Sequence, residues 1–221
     1  MPDLKRLCEE THAANVGLPK NGLVTTHSGN ASGRDPESGL VAIKPSGVDY
    51  DKLTPDMLVV VDQEGHVVRG NLKPSVDLPH HLYLYRHMPE INGIVHTHSP
   101  YATSFAALQM SIPCYLTAVA DEFGGEIPCA PYVDNLENHI GEAILKYRTR
   151  APAILLGNHG AFCYGESPAA ALKAAIMLED VARTIHHALT LGKPKVLPPE
   201  EVQKWWGRYH SWYGQGEKGN C

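Results

Sequence analysis

The chain has 221 residues, a formal net charge of −5, and 43% hydrophobic against 19% charged residues. That composition fits a folded domain large enough to bury a core without staples and excludes a disordered chain. The negative balance, with no Lys/Arg cluster, offers nothing to nucleic acid, and neither a long apolar run nor a basic-then-apolar start marks a membrane span or a signal. Five cysteines, at positions 8, 114, 129, 163 and 221, form no C-x-x-C pair and read as reduced thiols of a cytoplasmic protein. What composition leaves unexplained is the 13 histidines.

In chain order, residues 3–16 carry an apolar stripe (Leu4, Leu7, Cys8, Ala13, Ala14) that predicts a helix closed by Gly17. Residues 38–44 predict a strand behind a turn, and 57–61 with 66–69 a hairpin across Asp62–Gly65. Asp77-Leu78-Pro79 has the chemistry of a helix start, with the helix running to about His87. Residues 92–98 predict a strand, Ser99-Pro100 a helix start, 134–148 a helix, and 152–156 and 161–164 two further strands. Ser167-Pro168 opens a long Ala-rich helix ending at Gly192, and 199–210 a final helix. No repeat appears. The pattern predicts one α/β domain spanning 1–221, with a largely antiparallel sheet.

His96 and His98 stand two apart on a predicted strand, so their rings face one side and can share a metal, or can be two satisfied polar residues at a strand end. His159, between Asn158 and Gly160 after an apolar strand, is a turn residue when taken alone and a third nitrogen ligand when taken with that pair. Three neutral imidazoles suit Zn²⁺, or another divalent first-row ion, better than Mg²⁺ or Ca²⁺. Asp77 is either a helix cap, a fourth ligand or a base. The remaining histidines, among them His12, His27, His66, His80, His81, His87, His139, His186 and His187, read as surface or packing residues. There is no G-x-x-x-x-G-K-[ST] and no G-x-G-x-x-G, hence no support for nucleotide binding. Three small-residue turns, Ser28-Gly29-Asn30, Lys44-Pro45-Ser46-Gly47 and Pro74-Ser75, offer N–H groups and hydroxyls to an oxyanion, with Lys44 as a candidate cation. Each is equally a plain turn.

Taken together, these segments resemble the class II aldolase/adducin family. The likeness rests on Gly29-Asn30-Ala31-Ser32, Lys44-Pro45-Ser46-Gly47-Val48, Pro74-Ser75-Val76-Asp77, Ile94-Val95-His96-Thr97-His98-Ser99, Ala120-Asp121-Glu122-Phe123-Gly124, Asn158-His159-Gly160 and Trp212-Tyr213-Gly214-Gln215, in that order along nearly the whole chain. The resemblance implies a three-layer α/β/α fold and a homotetramer with active sites at subunit interfaces. It implies Zn²⁺ on His96, His98, His159 and Asp77, and a small phosphorylated sugar held through Gly29, Asn30, Ser46, Gly47, Ser75 and Val76. Asp77, Asp121 and Tyr213 place the chain with the members that epimerise a ketopentose 5-phosphate at C4. Those members break and remake C3–C4, with Asp121 and Tyr213 as acid/base groups and the C-terminal segment 199–221 contributing to the site. The neighbouring branch cleaves ketose 1-phosphates and carries Glu at position 77. The adducin heads, which bind without catalysis, lack the metal histidines. Val76 stands where the family usually has a second Ser.

Overall fold

The computed structural model describes residues 3–211. Its first helix, α1 (Leu4–Lys20), runs past Gly17, the position where the sequence predicts a stop. Gly17 is there for proximity: a Cβ would lie 2.5 Å from Leu172 Cδ2 on a neighbouring helix, so the glycine lets the two helices touch.

Eight strands follow, interleaved with helices: β1 (Asn30–Arg34), β2 (Val41–Ile43), β3 (Val59–Val61), β4 (Val67–Arg69), α2 (Leu78–His87), β5 (Gly93–Thr97), α3 (Pro100–Ala107), α4 (Thr117–Phe123), β6 (Cys129–Ala130), α5 (His139–Tyr147), β7 (Ala153–Leu156), β8 (Gly160–Gly165), α6 (Pro168–Leu191) and α7 (Pro199–Ser211). They form one sheet in the order β4-β3-β2-β1-β5-β8-β7-β6, antiparallel at every neighbouring pair but β6–β7. The expected three-layer α/β fold with a mostly antiparallel sheet is what the chain adopts.

Period-two alternation builds the layers. Ala42, Val95, Leu155, Ala161 and Cys163 face one core, shared with α1, α3, α4 and α6. Val41, Ile43, Ile94, Ile154 and Phe162 face the other, shared with α2 and α5. Residues on β1, β5 and β8 are almost wholly buried, because both faces of these central strands are covered.

Three elements lie outside the sequence prediction. The strand β1, Asn-Ala-Ser-Gly-Arg, carries no β-branched or aromatic residue; it is a strand because β2 and β5 both pair with it. Its small residues suit α1, since a Cβ on Gly33 would lie 2.4 Å from Thr11 Oγ1. The helix α4 and the two-residue strand β6 are too short for periodicity to show. The predicted helix over 134–148 begins later, at His139, after a turn that puts Glu137 at φ 46°.

Candidate metal and oxyanion site

Side chains of β5 alternate, so His96 shares the face of Ile94, and His98, one residue beyond the strand, faces the same way. The two Nε2 atoms stand 3.0 Å apart. His159 comes from the tip of the β7–β8 hairpin. There Asn158 adopts φ 56° and the ladder closes from Leu156 to Gly160, turning the imidazole toward the pair. One candidate ligand atom from each of the three residues lies within 4.8 Å of the others.

Several contacts hold these rings. The His96 Nδ1–H donates to the Ala161 carbonyl at 3.0 Å, which leaves Nε2 as the lone-pair nitrogen. The ring also stacks on Phe162, centroids 4.5 Å apart. His98 packs against the start of β8, where a Cβ on Gly160 would lie 2.4 Å from Thr97 O and 2.7 Å from His98 Cδ2. The hairpin tip is stitched to the C-terminal end of α3. The Asn158 N–H donates to Ala106 O at 2.9 Å and its Nδ2 to Ala107 O at 3.3 Å, while Gln109 Nε2 donates to Asn158 Oδ1 at 2.9 Å.

Burial drives His96 down to about 3, against the opposing pull of Asp77. It also lowers His98 and His159, with Asp77 again opposing. All three imidazoles are therefore neutral at pH 7, the state a cation needs. Three neutral nitrogens, of which only His96 is buried, fit a borderline first-row ion such as zinc and leave one position for a carboxylate or substrate.

Asp77 stands at the N-terminus of α2, where capping would be its ordinary task, yet its side chain makes no cap hydrogen bond. It turns instead to Asn30, whose Nδ2 donates to Asp77 Oδ2 at 2.6 Å. Burial opposes its charge, but His96, His81 and the Asn30 hydrogen bond hold it below the usual carboxylate range. Asp77 is not one of the clustered three; it lines the same cleft beside them.

Turns form the rest of the lining, and the structure brings every predicted oxyanion residue to it: Gly29, Asn30, Lys44, Ser46, Gly47, Ser75 and Val76 line the cleft with the three histidines and Asp77. Two of these turns are zipped together. Ser46 N–H donates to Lys73 O at 2.9 Å and Ser75 N–H to Lys44 O at 3.0 Å. Both serines thus spend their N–H groups on the zipper and present hydroxyls. Gly47 has φ 69° with nothing within 4 Å of a notional Cβ, so glycine is required there by conformation and leaves open space.

Lys44 is only 2% exposed. Its ammonium sits 4.8 Å from the Tyr50 ring centroid and 3.4 Å from the His27 and Pro45 carbonyls. Among the described residues no carboxylate forms an ion pair with it. Burial lowers its pKa, with Asp49 opposing. A buried cation without a paired acid facing donor-rich turns is suited to a dianion.

His27 and Asn135 also line the cleft. His27 carries one signal in the sequence, its place just ahead of Ser28-Gly29-Asn30; Asn135 carries none. His80 and His81 are buried packing residues, as expected: His81 Nδ1 lies 2.7 Å from Ser32 Oγ, and burial pushes this histidine down to about 4. Asp121, on α4, does not line the cleft of its own chain, and its buried Oδ1 has no hydrogen-bond partner. Tyr213 and the Trp212–Gln215 segment lie outside the described residues.

Known proteins resemble this chain over most of its length. The chain is 37% identical over 228 aligned residues to the L-ribulose-5-phosphate 4-epimerase UlaF of Salmonella paratyphi B, covering 96% of this chain and all of that one. It is 40% identical to the protein of the same name from Salmonella paratyphi A, covering 81% of this chain and 84% of that one. Among solved structures it superposes on an L-fuculose 1-phosphate aldolase with a TM-score of 0.84 at 28% identity, covering 93% of this chain and 96% of the other. The L-fuculose-1-phosphate aldolase of Thermus thermophilus gives a TM-score of 0.70 at 26% identity, covering 86% of this chain and 98% of that one. Residues 9–186 match the model of the Class II Aldolase and Adducin N-terminal domain, and the chain belongs to that family.

Proposed function

We propose that the protein is a zinc-dependent, cytoplasmic L-ribulose-5-phosphate 4-epimerase that forms D-xylulose 5-phosphate. The observation that carries this reading is one cleft holding a three-imidazole cluster on one wall and hydroxyl-bearing turns with a buried lysine on the other. The similarity to the Salmonella epimerases, over 81% to 96% of this chain, supports the choice of substrate.

Inverting C4 requires breaking a bond to that carbon, and the C3–C4 bond is the one whose electron pair the C2 ketone can accept. His96, His98 and His159, with Asp77 beside them, would hold a metal, which when bound would supply Lewis-acid polarisation of the substrate oxygens. The turn wall, through Gly29, Asn30, Ser46, Gly47, Ser75 and Val76 with Lys44, holds the departing two-carbon aldehyde by its phosphate. That grip lets the carbonyl turn over and re-add on its other face without leaving. The C4 oxygen loses a proton as the bond opens and regains one from the opposite side, so two acid/base groups are needed. Asp121 and Tyr213 are assigned these roles in the cleft of an adjacent subunit of a homotetramer, with the segment 199–221 carrying Tyr213 there.

A second reading, cleavage of a ketose 1-phosphate, is favoured by the 0.84 TM-score to an L-fuculose 1-phosphate aldolase. Incubating the metal-loaded protein with L-ribulose 5-phosphate and with L-fuculose 1-phosphate, and following products by NMR, separates the two. Conversion of the first to D-xylulose 5-phosphate is expected. Net release of aldehyde and ketone from the second alone would make the protein an aldolase.

A further inference from the structure

The three candidate ligands are not held alike. His96 is fixed by a carbonyl hydrogen bond and by stacking on Phe162. His98 is exposed, and among the described residues its ring hydrogen-bonds only to His96. Its aim therefore depends on where the backbone sets it. On one side that backbone is β5; on the other a single residue, Ser99, separates it from α3. This link is stiff. The Pro100 ring fixes its own φ and confines the residue before it to extended conformations, and Ser99 stands at φ −64°, ψ 139°. A shift of the α3 N-terminus is thus passed to His98 with little slack.

Nothing local holds that N-terminus. Ser99 occupies the N-cap position but makes no cap hydrogen bond, and its buried Oγ has no partner. Pro100 has no N–H, and the Thr103 N–H already reaches Ser99 O at 2.9 Å, which leaves the N–H groups of Tyr101 and Ala102 as the orphan donors of the first turn. Both go to one side chain on another helix. Glu179, in the middle of α6, accepts the Tyr101 N–H on Oε1 and the Ala102 N–H on Oε2, each at 2.9 Å. Its charge also meets the positive end of the α3 dipole. Seven residues on, and on the same face of α6, His186 packs edge-on against Tyr101, ring centroids 5.4 Å apart. The neighbouring acid shows the contrast: Asp180 is exposed and pairs with Arg183 at 2.8 Å, an ordinary solvated ion pair, whereas Glu179 is half-buried and turned toward α3. With only eight residues, α3 depends on such outside support.

We propose that Glu179 is a positioning residue for His98: by gripping the first turn of α3 from α6 it sets the place of this ligand in the cluster, without itself lining the cleft. This rests on the reading of His96, His98 and His159 as a metal site.

For the test, the full chain is freed of metal with a chelator and titrated with zinc, as wild type, Glu179→Ala, Glu179→Gln and Ser167→Ala. The last is a control of the same kind. Ser167 Oγ caps α6, accepting from the Ala170 N–H at 3.1 Å, and its carbonyl lies against Gly93 at the far end of β5 from His98. Glu179→Ala and Ser167→Ala should each lower the thermal midpoint by about 2–4 °C. Only Glu179→Ala should also weaken zinc, raising its Kd about tenfold, while Ser167→Ala stays within about twofold of wild type. Glu179→Gln keeps one acceptor and should raise the Kd about threefold; it carries the test if the alanine variant does not fold. In the metal-free proteins, the ring ¹H–¹⁵N signals of His98 should move in the Glu179 variants, and those of exposed His66 should not. The proposal is overturned if both Glu179 variants keep the zinc Kd within about twofold, or if Ser167→Ala weakens zinc as much as Glu179→Ala does. If wild type binds no zinc, the metal reading fails, and the ring signals still decide: unmoved His98 signals overturn the role of Glu179.

Discussion

The two walls of the cleft are built on opposite principles. The histidine wall is carried by the end of β5 and a hairpin tip; burial, stacking on Phe162 and a carbonyl hydrogen bond fix His96, and the hydrogen bonds of Asn158 fix the tip that carries His159. The turn wall is carried by the turn that leads into β1 and by two segments joined through an isolated bridge between Pro45 and Pro74, and it presents hydroxyls and one buried ammonium. The difference follows from what each would hold. A first-row cation needs two or three nitrogens at defined separations, which strand geometry supplies. An oxyanion accepts hydrogen bonds from many directions, and turns suffice.

That contrast can be broken experimentally, and the largest effect should come from the histidine wall. His98→Asn is expected to abolish stoichiometric zinc and, with it, turnover, a loss of about 10³-fold or more; full activity in a zinc-depleted variant would remove the metal from the site. Asp121→Asn and Tyr213→Phe should each lose epimerisation by about 10²-fold while slow aldol addition between dihydroxyacetone and glycolaldehyde phosphate persists. Normal epimerisation by both would overturn the two-base scheme.

Acid should unsettle the histidine wall next. Unfolded histidines protonate near 6.5, whereas folded His81 resists to about 4 and His96 to about 3. Between those values the unfolded chain binds more protons, so the metal-free protein keeps this stability above 6.5 and loses it as pH falls. The slope is about 1.4 kcal/mol per pH unit for each of the two residues. Urea unfolding of chelated protein at pH 7 and pH 5 measures it; equal stability would mean that these rings are not held neutral by the fold. The smallest effect belongs to the turn wall. Val76 is 74% exposed, and Val76→Ser should lower KM by about two- to threefold through one added solvent-shared hydroxyl. An unchanged KM would place residue 76 away from the phosphate.

The same contrast governs what can be read from the sequence. His96 and His98 declare themselves because two-residue spacing on an apolar strand has one geometric meaning. The helix over 78–87, the strands at 93–97 and 153–156 and the long helix from Pro168 carry runs or periodicities strong enough to identify them. The turn wall leaves only weak signals, since small-residue turns are common and nothing local says which of them converge. The strand β1 is hidden because its strand character comes from its neighbours and not from its own residues. His27 reads as surplus until folding brings the Lys44 ammonium to its carbonyl, and Asn135 joins the cleft through tertiary packing alone.

One further consequence comes from the helix that joins two of the ligands. α3 starts at Pro100, two residues after His98, and its last turn accepts the hydrogen bonds of Asn158, the neighbour of His159. Local opening of these eight residues therefore disturbs both ends of the chelate at once. An ion bound by both histidines raises the free energy of that opening by RT ln(1 + [M]/Kd). Amide hydrogen exchange along α3 should slow by the same factor as zinc is titrated in, while the edge strand β4 keeps its rate. A helix that presents no side chain to the cleft thereby becomes a gauge of occupancy within it.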